Sequence, residues 1–256
     1  MNAPSPFLTD IPAEGALPLD VLDCGMMPYG EARLLQDSLV ERRVRGETGD
    51  VLLFCEHPPT ITLGLQSRAI DFFVAPERLS QLGFEVVRSS RGGRVTYHGP
   101  GQMLIYPVVS LRERRLGVKV FVLESLKAIA RAVAALGLPA FACINPAGVW
   151  ILRAGFWGSE GAAELPEQGA KIAAAGLRIC HGVTNHGFSL NISCDLRPFS
   201  YFRPCGMDGA CISSLQGELE TKHLDWSLVR GAVMKELAAV ILSEPVMRQP
   251  AGATCK

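Results

Sequence analysis

The sequence predicts one α/β (α+β) domain with a central mixed β-sheet flanked by helices. Short β-rich runs are interspersed with three long helical segments, the pattern of a sheet covered by helices. No internal repeat and no linker to a second domain is visible. The 256 residues, 48% of them hydrophobic, suffice for one sizeable core near the upper end of single-domain length. The expected organisation is an irregular arm over residues 1–20, one domain over 21–245 with a long loop at 153–170, and a tail at 246–256.

The arm is rich in Pro and Ala. In GEARLLQDSLVERRVR (30–45), Ala32, Leu34, Leu35, Leu39 and Val40 recur at helical spacing, which predicts an amphipathic helix. VLLFCEHPPTITLG (51–64) holds two β-rich runs split by a Pro-Pro turn, and 84–89 reads as another strand. RGGRVTYHGPGQ (91–102) crowds glycines and a proline around Thr96, Tyr97 and His98, and MLIYPVVSL (103–111) follows as a strand. VKVFVLESLKAIARAVAALGL (118–138) is a helix that Gly137 can close. GVWIL (148–152), KIAAAGLRI (171–179) and FSLNIS (188–193) read as strands, and 225–242 as a closing helix.

Lys+Arg and Asp+Glu balance at 25 each, so no global charge favours nucleic acid or an anionic membrane. The eight cysteines contain no CxxC pair, and neither a disulfide framework nor zinc-ligand spacing emerges. Cys55, Cys180 and Cys194 lie in or beside apolar runs and read as core fillers. The N-terminus lacks the basic start and apolar run of a secretory signal, and no stretch is apolar enough to span a bilayer. A cytoplasmic protein without a metal is expected.

Glycine clusters mark either an unusual turn or a close approach by another molecule, so RGGRVTYHGPGQ reads as a hairpin or as a substrate cradle. His98 and His186 abut glycine in YHGPG and NHGFS, where a ring can face a ligand across open backbone. His57 and His223 read as structural or surface residues. Cys205 stands apart in YFRPCGMDG, bracketed by Pro204 and Gly206. A thiol is mostly protonated at neutral pH, so a nucleophilic Cys205 needs a nearby cation or base. Lys171, leading the apolar KIAAAG, supplies one if it points inward; otherwise it snorkels at a strand end.

RGGRVTYHGPGQ, KIAAAGLRI, VTNHGFSLNIS and DLRPFSYFRPCGM, in that order and spacing, closely resemble the lipoyl(octanoyl) transferase family from about Glu56 to Leu215. The resemblance implies the fold of lipoate and biotin protein ligase catalytic modules, a mixed sheet with flanking helices around a fatty-acyl tunnel. It also implies octanoyl transfer from octanoyl-acyl carrier protein to a lysine of lipoyl-domain proteins (2-oxoacid dehydrogenases and the glycine cleavage H protein), without a cofactor. Cys205 matches the family's acyl-accepting cysteine and Lys171 its catalytic lysine. The substrate-binding match covers Arg91, Gly92, Gly93, Arg94, Val95, Thr96, Tyr97 and His98. It extends to Ala174, Ala175 and Gly176, and to His186, Gly187, Phe188 and Ser189.

Acidic carrier proteins lead to an expected basic patch in ERRVR (41–45) or LRERRLGVK (111–119), with Arg114 and Arg115 as probes. Three positions depart from the family pattern: the insertion at 153–170, Leu65 where arginine is common, and Ala175 where a larger aliphatic is common. The competing reading is an ATP-dependent lipoate or biotin protein ligase on the same fold. A cysteine hydrolase and a non-enzymatic binding module are the more distant alternatives.

Overall fold

The structure is a computed structural model that describes residues 7–10, 19–152, 169–206, 212–221 and 223–243. The chain runs β1 (Phe7–Asp10), β2 (Leu19–Met26), α1 (Tyr29–Val44), β3 (Asp50–Glu56), β4 (Thr60–Leu63), α2 (Pro76–Gln81), β5 (Glu85–Arg88), β6 (Val95–His98) and β7 (Gln102–Val108). It continues through α3 (Val118–Ala135), β8 (Ala140–Ile144), β9 (Ala147–Leu152), β10 (Gly169–Ala175), β11 (Arg178–Cys180), β12 (Val183–Asn185), β13 (Phe188–Asn191), α4 (Leu215–Glu218) and α5 (Trp226–Leu242).

Eight strands form the main sheet in the order β1-β2-β3-β7-β13-β10-β9-β8. Only β2 and β3 pair in parallel; every other neighbouring pair in it is antiparallel. The sheet is buried on both faces because its central strands are apolar on both sides of the pleat. In β3, Leu52 and Phe54 face α3 and α5, while Val51, Leu53 and Cys55 face α1; Met103 and Ile105 of β7 alternate likewise with Leu104 and Tyr106. A small sheet, β5-β4-β6, carries a third cluster around Ile61, Leu79, Tyr97 and Phe202.

The three long helices and the mixed sheet match the sequence reading, with local corrections. The arm contains β1, and β2 starts at Leu19. KIAAAGLRI is two strands, because the chain leaves the main sheet after Ala175 and forms the β11–β12 hairpin. In α1, Leu34 is exposed and Gln36 is buried in its place. Gly169 and Ala170 belong to β10, while the rest of the 153–170 insertion and the tail lie outside the described residues. No described helix is long and apolar enough to cross a membrane.

Candidate active site

A cavity of about 400 Å³ is lined by residues of both sheets and of the β11–β12 hairpin. Arg91 to Thr96, His98, Ala174 to Gly176 and His186 to Ser189 all contribute to its wall. These segments, far apart in sequence, therefore meet around one cavity. Glycine permits the close packing here: a Cβ on Gly187 would strike the Ile105 carbonyl and Pro107, and one on Gly92 would sit 2.9 Å from the Leu177 carbonyl.

Tyr97 is the exception. Alternation along β6 sends it to the opposite face, where it packs edge-on against Phe84 and Phe199 in the third cluster. It is a support of the wall and lines none of it.

Arg91 is buried and held by Thr62: Nε donates to Oγ1 at 2.9 Å and an Nη to the carbonyl at 2.7 Å. His186 sits at φ +56°, fixed by its backbone N–H donating to Gln36 Oε1 (2.9 Å) and Asn185 Oδ1 (2.7 Å). Burial, reinforced by the Arg91 charge, pushes its imidazole down to about 4, so it is neutral and bonds Ser90 through Nε2 at 3.0 Å.

His98 is neutral for the same leading reason, with His57 and Arg91 adding to it. Its tautomer follows from Gln102, whose Nε2 donates to the Tyr97 carbonyl (3.1 Å) and to Asn191 Oδ1 (2.8 Å). Gln102 Oε1 must then accept, so His98 Nδ1 carries the hydrogen, at 2.7 Å. Behind it, His57 is fully buried between the Met27 carbonyl and the Tyr106 hydroxyl, the structural role expected of it. His223 is exposed.

Lys171 is 2% exposed and so does not snorkel. Its side chain lies across Gly148, where a Cβ would overlap Lys171 Cε and approach Nζ to 3.2 Å. Its Nζ is 5.4 Å from the centre of the Trp150 ring, within cation–π distance. Gly148 pairs with Ala174, and both Ala174 and Ala147 line the cavity. The amine is therefore adjacent to the cavity wall without belonging to it.

Cys205 lies in a one-turn 3₁₀ helix, Pro204–Gly206; its side chain is outside the described part of the structure. The turn is tied on its N-terminal side by Arg203 N–H donating to the Asp71 carbonyl at 2.7 Å and by a Phe72–Phe202 bridge. Arg94, paired with buried Asp71 at 3.0 Å, packs its guanidinium over Gly206, which has φ +75° and no room for a Cβ.

The family model described as "Lipoyl protein ligase A/B catalytic domain" matches residues 28–238. The chain belongs to that family. Among its curated relatives, the octanoyltransferase of Bacteroides fragilis is 37% identical over 87% of this chain and 97% of its own length. The octanoyltransferase of Acidobacterium capsulatum is 38% identical over 78% and 80%. The bipartite lipoate protein ligase of Thermoplasma acidophilum superposes with a TM-score of 0.60 at 16% identity, over 83% of this chain and 80% of that one, so the fold is shared.

Several residues of this family member's site carry no signal in the sequence. Tyr29 and Tyr106 line the cavity from α1 and β7, Val118 and Val122 from α3. Each reads locally as an ordinary core or helix residue. The expected basic patch is also reduced. Arg43 and Arg114 are buried and bonded to Asp50 at 2.8 and 2.7 Å, with Glu113 completing the Arg43 pair.

Proposed function

We propose that this chain is an octanoyltransferase that carries an octanoyl group from octanoyl-acyl carrier protein to the target lysine of lipoyl domains, as an acyltransfer enzyme of the cytoplasm. The observation that carries the reading is the pairing of a cavity walled largely by apolar and glycine residues with a buried amine, Lys171, at its edge. The octanoyltransferase relatives support the same chemistry. An eight-carbon tail gains roughly 0.8 kcal/mol for each CH₂ removed from water, enough to hold the donor by its chain.

Cys205, as thiolate, attacks the donor thioester carbonyl; the carrier's thiolate leaves and an octanoyl-Cys205 thioester remains. The neutral ε-amine of the acceptor then attacks that carbonyl. The C–S bond breaks, an amide forms, and the amine's proton passes to a base, the role assigned to Lys171. His98 and His186, both held neutral, shape and polarise the wall without competing for the proton.

Intact-mass spectrometry after mixing the protein with octanoyl-carrier protein tests the proposal. One added octanoyl group, lost in Cys205→Ser and passed to a lipoyl domain without ATP, is the expected result. An absolute requirement for ATP and free octanoate would instead make the protein a ligase.

A further inference from the structure

After the Cys205 turn in sequence, the next described residues, Ile212 and Ser213, lie beside Lys171. On one side of β10, β13 pairs with Ala173, Ala174 and Ala175 and ends at Asn191. Beyond that end the same side of β10 is taken by Ile212 and Ser213. Ile212 forms a parallel bridge with Lys171, and Ser213 N–H donates to the Lys171 carbonyl at 3.0 Å. The segment that follows the turn is thus bonded to the backbone of the lysine itself.

One side chain joins the two occupants of that lane. Asn191, 5% exposed, donates from Nδ2 to the Ser213 carbonyl at 2.9 Å and accepts from Gln102 Nε2 at 2.8 Å. Gln102, its partner across β7 and β13, accepts from His98 in the cavity wall. Every donor in this series points the same way, from His98 through Gln102 and Asn191 to Ser213. Such a buried amide has its rotamer and flip state fixed by both neighbours, and loss of either bond leaves a buried polar group unsatisfied.

We propose that Asn191, oriented by Gln102, is a positioning residue for acyl transfer: through Ser213 it braces the backbone of Lys171 and ties it to the cavity wall. The inference rests on the proposed octanoyl transfer. Asn191 touches no reacting atom in this account. It acts by holding the Lys171 amine in place, and a displacement of about 1 Å of such a group costs on the order of 100-fold in rate.

The test uses the full-length protein and its Asn191→Ala and Asn191→Asp variants. The aspartate keeps the shape and the acceptor toward Gln102 but, ionised, has no donor for Ser213. Wild-type octanoylation of Cys205 by octanoyl-carrier protein is recorded first, and its absence sinks the function rather than this inference. Given that activity, both variants are expected to lose at least 10-fold in kcat, with KM for the donor within about twofold and a cooperative melt retained. The pH midpoint for iodoacetamide alkylation of Cys205, read by mass against Cys205→Ser, is expected to rise. Unchanged kcat and an unchanged midpoint in a folded variant would overturn the proposal. So would loss of the melting transition in both variants, which would make Asn191 a residue of the fold alone.

Discussion

His98 and His186 set the pH behaviour of the site. Burial holds both imidazoles below their ordinary value near 6.5, His186 at about 4, so the unfolded chain binds protons first as the pH falls. The associated stability is complete above about pH 6.5 and is lost progressively toward pH 4. The melting temperature should therefore fall across that window. His186→Asn, which tolerates the left-handed backbone, should flatten the fall; scanning calorimetry at stepped pH gives the comparison, and equal slopes would remove His186 from the account. Arg114 makes the opposite kind of prediction. Its bond to buried Asp50, which Arg43 continues to neutralise, makes Arg114→Ala a stability loss of about 1.5–3 kcal/mol, measured by urea unfolding. The sequence could mark His98 and His186 because each abuts glycine. It could not separate Arg114 from its exposed neighbour Arg115, since only the fold brings Asp50 beside one of them.

Strand pairing explains why Lys171 can enter the interior. The bulge in β10 between Lys171 and Ala173 breaks strict alternation, and Gly148 on β9 leaves the space that the lysine stem crosses. Gly148→Ala, whose Cβ also meets the Ala173 carbonyl at 2.5 Å, should lower the melting temperature and, by displacing the amine, lower kcat by on the order of 100-fold. A variant with wild-type turnover would show that the stem has another path. Strands and long helices were legible where period and composition agreed, as in α3 and β7. The break inside KIAAAGLRI was not, because Gly176 and Leu177 interrupt the run with no more than a glycine. The strand β6 was hidden by the glycines around it. Tyr97 was named through the family resemblance alone, whereas pleat alternation gives its ring to the far face.

Across the whole molecule, zero net charge coexists with a cluster of arginines after β7. With Arg43 and Arg114 committed to Asp50, the exposed charges left for a carrier partner include Arg112 and Arg115. Reversing both to Glu should raise KM severalfold for octanoyl-carrier protein and leave a small octanoyl thioester unaffected, since rim charges govern encounter more than chemistry. Equal effects on the two donors would exclude this surface. The global architecture was legible because three long helices and a doubly apolar sheet leave few other arrangements. The cavity itself was legible only through four motifs taken together, since no single element encloses it.

That enclosure has a thermodynamic corollary. A fatty tail lodged between the small sheet and the large one would act as mortar between two courses of masonry, absent from the unfolded chain. Ligand at a hundred times its dissociation constant adds about 2.7 kcal/mol, so a thermal-shift titration with a non-transferable octanoyl analogue should raise the melting point in Cys205→Ser as well. The scaffold would then be sturdiest while it carries cargo and loosest just after delivery.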